Sequence, residues 1–345
     1  MKPVVPGLPV SAGPFVIAEA GVNHNGDVAM ARELVDAAAD AGADAVKFQT
    51  FRPELVAAPE APRAEYQRQE HDDTSQLDMI RRLALSEDAF RDLASYCRTK
   101  NIVFLSTPFD MASADFLVLL GVPVIKVPSG EISNLPFLRH VARLKKPIVM
   151  STGMAAIGEV ERAVGAIEQA GCGNYALLHC TSNYPAASAD INLRAMATLK
   201  TAFGCPVGYS DHTIGIEIAL AAAALGAQII EKHFTLNRKM DGPDHAMSLE
   251  PRELADMVRG IRSVTLALGD GIKRPAQSEK SIADVVRRSL AAARPLPSGT
   301  VIEAKDLICL RPGTGIAPGE ENLILGRRVV TDIRQYSLIE WAMVE

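Results

Sequence analysis

Aromatic side chains are scarce, at 5% of 345 residues with one tryptophan, Trp341. The core must therefore be built from Ala, Val, Ile and Leu, as in layers of helices packed on strands. An excess of positive charge is also missing. Lys plus Arg number 36 against 41 Asp plus Glu, a net charge of −5, which argues against nucleic acid as a partner. No long hydrophobic run exists either. The longest candidate, 214–230, is broken by Gly215, Glu217, Gly226 and Gln228, whereas a membrane span needs ~18 uninterrupted apolar residues. The opening MKPVVPGLPVSAGP holds too much proline and glycine for the apolar centre of a signal peptide. The five cysteines (Cys97, Cys172, Cys180, Cys205, Cys309) are odd in number, scattered and without a CxxC. They suit reduced thiols in a cytoplasm better than a disulfide framework or a zinc knuckle.

With 48% hydrophobic and 22% charged residues, the chain reads as globular, and its length suggests about two domains at ~150 residues each. Short β-branched runs alternate with Ala-rich amphipathic ones. The strand candidates begin at Phe15, Ala43, Ile102, Pro123, Pro147, Tyr175, Pro206 and Ala227. Between them lie helical patterns such as DVAMARELVDAAADAG and GEVERAVGAIEQAG, several ending at a glycine (Gly42, Gly121, Gly171, Gly226) where a left-handed C-cap is expected. Eight such units predict a parallel (β/α)₈ barrel. The competing doubly wound sheet is disfavoured because no GxGxxG follows the first strand. We read residues 1–275 as the barrel, 276–288 as a linker and 289–345 as a small β-rich domain. The long, charged stretch 51–85 is expected to hold its own helix and overhang the barrel mouth.

Each strand starts apolar and ends in residues that do chemistry. In a barrel these ends converge on one face, where barrel enzymes place their active sites. Five of the seven histidines (His24, His179, His212, His233, His245) fall on that face or in its loops. His212 and His233 end neighbouring strands and suit a divalent Lewis acid such as Mn²⁺, Fe²⁺, Co²⁺ or Zn²⁺; ordinary buried histidines bonded to backbone are the alternative. Glu231 shares the face of His233 and reads as a ligand or an orienter. Lys47 and Lys126, aimed inward in an acidic protein, imply a bound phosphate or carboxylate, with Ser129, Gly130, Ser151, Thr152 and Gly153 as further anion contacts. A lysine paired with Glu19, or a Schiff-base lysine, are the alternatives. Glu131 is either a general base or an ion-pair partner of Lys126.

Ten motifs together resemble one family: IAEAGVNHNG (17–26), AVKFQT (45–50), STPF (106–109), KVPSGE (126–131), STGM (151–154), LLHCTSNYP (177–185), GYSDHT (208–213), EKHFT (231–235), GPDHAMSLEP (242–251) and RPGTGI (311–316). They resemble the sialic acid synthases and, more broadly, the nonulosonic acid synthases. These condense phosphoenolpyruvate with an N-acylated mannose-type sugar on a TIM barrel followed by an antifreeze-like (SAF) domain, as a domain-swapped homodimer. The resemblance implies that His212 and His233 hold a divalent metal of the Mn²⁺ type (Mg²⁺ or Co²⁺ as alternatives) that polarises the sugar aldehyde. It implies that Lys47, Lys126, Ser129, Ser151 and Ser210 bind phosphoenolpyruvate with Tyr184 nearby, and that Glu131 is the base for water attack. Glu19 and Asn23 are implied near the metal and aldehyde. Gln49, Thr107 and Asp244 are implied on the sugar, and Arg311 of the partner subunit on its N-acyl group. Some members carry Asn directly after CT, where this chain has Ser182 followed by Asn183, so that contact falls to one or the other. MDGPDHAMSLEP and RPGTGI are similar to synthases for legionaminic acid, and overlap those for N-acetylneuraminate. Rival readings are a metal-dependent aldolase or hydrolase barrel, which would release no phosphate from phosphoenolpyruvate, and a non-catalytic carbohydrate-binding protein.

Overall fold

The computed structural model describes residues 3–11, 13–62 and 75–345. The chain divides into two compact units, Met1–Gly269 and Asp270–Glu345. In the first, eight strands form where the apolar runs predict them: β1 (Phe15–Gly21), β2 (Ala45–Thr50), β3 (Val103–Pro108), β4 (Ile125–Val127), β5 (Ile148–Ser151), β6 (Tyr175–Cys180), β7 (Val207–Asp211) and β8 (Ile229–His233). All seven ladders are parallel, in the order β3-β2-β1-β8-β7-β6-β5-β4. β3 and β4 lie side by side and complete the ring. The expected TIM barrel is what forms.

Helices α1 (Val28–Asp40), α2 (Gln76–Leu83), α3 (Glu87–Thr99), α4 (Met111–Leu120), α5 (Leu135–Arg143), α6 (Ile157–Gln169), α7 (Ala195–Phe203), α8 (Glu217–Ala224) and α9 (Pro251–Leu268) belong to this unit. Their starts are locally encoded. Asp27 Oδ1 accepts from Ala29 N–H at 2.7 Å, Ser86 caps α3, and Asp110 Oδ1 accepts from Ser113 N–H at 2.8 Å. At the other end of α4, Gly121 adopts the left-handed φ of 89° that closes the helix.

Strand alternation sorts the apolar residues into two layers. Val16, Ala18, Val46, Phe48, Ile230 and their like face outward into the helices and form the main core. Phe15, Ile17, Ala45, Leu105, Val124, Val149, Ala176, Leu178 and Ile229 face inward and fill the barrel's lower half, joined by Val5 and Leu8 of the N-terminal segment. Two residues further along each strand, the same inward direction carries Glu19, Lys47, Thr107, Lys126, Ser151, Cys180, Ser210 and Glu231. The barrel's interior thus changes from apolar to polar at one level, and that level is the floor of the site.

In the second unit, α10 (Lys280–Val286) precedes β9 (Ser289–Ala292), which pairs antiparallel with β10 (Leu307–Leu310). Isolated bridges (Leu296 with Ile333, Val301 with Arg328, Val329 with Val344) extend the β character, and α11 (Glu321–Ile324) adds one short turn. Leu290, Leu296, Ile302, Ile316, Ile324, Ile333 and Ile339 form its own core. Among the described residues, no helix is long and apolar enough to cross a membrane, and all five cysteines are free thiols.

Candidate active site

The strand ends surround a cavity of about 290 Å³, near the lower end of small-molecule sites at ~300 Å³. Its floor is ionic. Lys47 Nζ lies 2.6 Å from Glu19 and 3.7 Å from Glu231, and donates to Thr107 Oγ1 at 2.9 Å. Lys126 Nζ lies 3.6 Å from Glu231 and donates to Ser151 Oγ at 2.7 Å. Ser210 Oγ donates to Glu231 Oε1 at 2.8 Å. Burial opposes charge on all four groups, but their neighbours divide them. It raises the Glu19 carboxyl despite Lys47, and it lowers Lys126 despite Glu231. Against burial, Lys126 and Lys47 hold Glu231 low, while Glu19 and Glu231 raise Lys47. Glu231 is therefore the shared counter-ion of two ammonium groups.

One rim carries the imidazoles. His212 Nδ1–H donates to the Thr181 carbonyl at 2.7 Å, which fixes Nε2 as the lone-pair nitrogen. That Nε2 is 2.6 Å from the Tyr184 hydroxyl, and His233 Nε2 is 3.2 Å from the same oxygen. The Tyr184 ring stacks on His212 with centroids 3.9 Å apart. Burial lowers His212 to about 4 and takes His233 well below its ordinary value, His212 and Lys47 adding to the effect. Both rings are neutral near pH 7, and both aim a nitrogen at one point. This donor set fits a divalent cation. Among the described residues no group of three or more His, Cys, Asp or Glu could hold a metal, so two imidazoles would leave further positions to substrate and water.

Most of the expected residues meet here. Glu19, Lys47, Gln49, Thr107, Lys126, Ser129, Ser151, Ser182, Tyr184, Ser210, His212, His233 and Asp244 all line the cavity. Gln49 Nε2 donates to Glu19 Oε1 at 3.4 Å. Asp244 stands 3.9 Å from His233 Nδ1, and burial raises its carboxyl to about 6. Of the two alternatives after Thr181, Ser182 lines the cavity and Asn183 is exposed. Gly153 lets the chain pass close: its N–H donates to Ser129 Oγ at 3.0 Å, and a Cβ there would overlap the Ser182 and Ser129 hydroxyls.

Three expected residues stand elsewhere. Asn23 is buried, with Nδ2 donating to the Phe234 carbonyl at 2.8 Å and Ser248 Oγ at 3.0 Å; it ties the loop after β1 to that after β8. Glu131 is not among the lining residues, and accepts from Asn134 Nδ2 at 2.7 Å. It pairs with Asn134 rather than Lys126, and a role in the cavity requires its side chain to turn. Arg311 is exposed in the second unit, just before Pro312. Three of the five gathered histidines also serve other ends. His179 Nε2–H donates to the Ile191 carbonyl at 2.6 Å and lines a second cavity of about 620 Å³. His245 bonds Thr235 and Asn25. His24 Nδ1 accepts from Gly26 N–H at 3.0 Å.

His24 supplies a test of pH dependence. Burial lowers its folded pKa to about 4 against 6.5 in an unfolded chain. Its contribution to stability is complete above pH 6.5 and is lost as pH falls from 6.5 toward 4, because only the unfolded state then takes up the proton. Wild type should lose about 2 kcal/mol more than His24→Asn between pH 7 and pH 5. Urea unfolding in EDTA at both pH values reads this, and parallel losses would show that His24 is not the titrating group.

The cavity also has an apolar wall, built in part from the helix expected within 51–85. α2 does form within 51–85, and its Met79, Ile80 and Leu83 line the cavity with Val22, Val56 and Phe51; residues 63–74 of that stretch lie outside the described residues. The amphipathic spacing 79, 80, 83 was the available signal. Cys180 was also missed, although it follows Leu178 on the inward face; burial raises its pKa and keeps it a thiol.

Known proteins share this chain's sequence and fold. The NeuB family matches residues 34–273 and a SAF domain matches 287–345. The chain is 46% identical over 96% of its length to the N,N'-diacetyllegionaminic acid synthase of Legionella pneumophila, covering 94% of that protein. It is 46% identical over 94% of its length to the synthase of the same name from Campylobacter jejuni, covering 98% of it. Among solved structures, the N-acetylneuraminic acid (sialic acid) synthetase of Leptospira borgpetersenii, in complex with citrate, superposes with a TM-score of 0.70 at 37% identity. The match spans 79% of this chain and 91% of that one. With the family model spanning most of the barrel and 46% identity to a curated synthase over nearly the whole chain, the chain belongs to the NeuB family and carries a C-terminal SAF domain.

Proposed function

We propose that this chain is a nonulosonic acid synthase. It condenses phosphoenolpyruvate with an N-acylated mannose-type sugar to give a nine-carbon 2-keto acid and inorganic phosphate. The observation that carries this reading is the convergence of two buried ammonium groups and two neutral imidazoles on one cavity. Burial raises Glu19 and lowers Lys126, whereas Lys47 is raised and Glu231 is held low, so the Lys47 ammonium is the floor's firmest cation for a phosphate or a carboxylate. Ser129, Ser151, Ser182 and Ser210 add hydroxyl donors around it. A divalent cation held by His212 and His233 supplies Lewis-acid polarisation of the sugar aldehyde.

The bonds balance as follows. C3 of phosphoenolpyruvate attacks the aldehyde carbon, whose oxygen becomes a hydroxyl; water adds at C2, and collapse of the new C2 hydroxyl to the ketone breaks the C2–O bond to phosphate, so that the two protons of water end on the sugar hydroxyl and on phosphate. Lys47 and Lys126 hold the departing charge without covalent attachment. Gln49, Thr107 and Asp244 orient the sugar, and Glu131, turned away from Asn134, takes the proton of the attacking water. The same reading has a domain-swapped homodimer in which Arg311 of the partner subunit meets the N-acyl group. The wall of Phe51, Met79 and Leu83 favours 2,4-diacetamido-2,4,6-trideoxymannose, which offers two acetamido methyls and a C6 methyl, over N-acetylmannosamine. The legionaminic acid synthases among the relatives point the same way.

The deciding assay mixes phosphoenolpyruvate and Mn²⁺ with each sugar and measures phosphate. We expect release with both and a kcat/KM at least ~10-fold higher for the diacetamido sugar; no phosphate with either sugar overturns the reading. In the same assay Glu131→Gln should keep the KM for phosphoenolpyruvate and lose turnover by ~10²–10⁴. Wild-type rates in that variant remove Glu131 as the base.

A further inference from the structure

Behind the cavity, β7 and β8 carry a second pair of charges that the reaction does not touch. Alternation turns Ser210, His212, Glu231 and His233 inward, so Asp211 and Lys232 face outward between barrel and helices. The two are register partners across the ladder, and their side chains are 0% and 1% exposed. Lys232 Nζ donates to Asp211 Oδ2 at 2.7 Å and to the Thr213 carbonyl at 2.6 Å. Asp211 Oδ1 accepts from Thr213 N–H at 3.0 Å, Thr213 Oγ1 at 2.8 Å and the Tyr209 hydroxyl at 3.3 Å. Two further carboxylates act on Lys232 from the helices outside, Glu217 of α8 and Glu253 of α9.

A buried ion pair is a weak source of stability. Desolvation offsets the attraction, and a well-packed apolar pair of similar volume often does as well or better. This pair does what an apolar pair does not: it grips the chain on both sides of His212 and ties it to the residue that precedes His233. We propose that Asp211 and Lys232 are positioning residues that set the spacing and aim of the two imidazoles for one shared divalent cation. The inference rests on the metal centre proposed above. It is demanding in distance, because metal–nitrogen bonds near ~2.1 Å tolerate only about 0.2 Å, so a strand end released by an ångström takes its ring out of range.

The test uses the full chain without substrates. Mn²⁺ affinity is read by the electron paramagnetic resonance of free Mn²⁺, beside urea unfolding, for wild type and the double variant Asp211→Leu/Lys232→Met. The expected result is a folded variant with cooperative unfolding whose Mn²⁺ Kd is raised ~10–100-fold, and whose kcat returns toward wild type at saturating Mn²⁺. If the double variant does not fold, Asp211→Asn carries the same measurement. A merely structural role shifts the unfolding midpoint and leaves the Kd alone, so a Kd within about twofold of wild type in a folded variant overturns the inference and leaves the metal centre standing. Wild type that takes up no Mn²⁺ overturns the centre, and the inference with it.

Discussion

Replacing His212 by Ala is expected to lower phosphate release from phosphoenolpyruvate and sugar by at least ~10³-fold, at any Mn²⁺ concentration. The size follows from what the ring does. Among the described residues it is one of two imidazole nitrogens on the shared point, with its tautomer already fixed by the Thr181 carbonyl. Ala deletes the lone pair and the stack on Tyr184 together, but leaves the lysine floor untouched. Phosphoenolpyruvate binding, read by calorimetry, should therefore survive. In wild type, EDTA should abolish turnover and added Mn²⁺ or Co²⁺ should restore it. A His212→Ala enzyme within tenfold of wild type would mean that the imidazoles are not where the aldehyde is activated.

Lys47→Met should have the largest effect on the fold itself. It leaves Glu231 with Lys126 as its remaining ammonium partner, and Glu19, already raised by burial, without the lysine that opposes that rise. Removing one member of a buried ion pair costs about 3–5 kcal/mol, so the unfolding midpoint should fall sharply and phosphoenolpyruvate binding should be lost. Adding Glu19→Gln removes the carboxyl that Lys47 held toward its charged form. That double variant should regain most of the stability and none of the affinity. Recovery of binding along with stability would show that Lys47 serves the fold and not the anion.

Much of this was legible in the sequence because the relevant physics is local. Apolar runs followed by polar ends place Glu19, Lys47, Lys126 and Ser210 on inward positions through a period of two, and neighbouring strand ends bring His212 and His233 together. The residues that escaped are those whose partners lie far along the chain. Asn23 sits in a motif that points to the site, yet Phe234 and Ser248 take its amide. Glu131 has an inward lysine five residues before it, but Asn134 is nearer and claims its carboxylate. His24, His179 and His245 share the catalytic face with the two cavity histidines, and backbone or loop partners turn each of them aside. The outward pair Asp211 and Lys232 reads in sequence as two charges beside two histidines; only the register of β7 on β8 joins them.

By itself, the amino-acid sequence determined the barrel, the order of its strands and the identity of the charged ring at their ends, since alternation, capping and glycine stops act over a few residues. Tertiary structure decided which of those side chains share the cavity and what each is bonded to. That choice depends on hydrogen-bond and ion-pair partners delivered by other strands and loops, as when the Lys47 ammonium of β2 meets Glu231 of β8 past the intervening β1, and no local pattern encodes such a meeting.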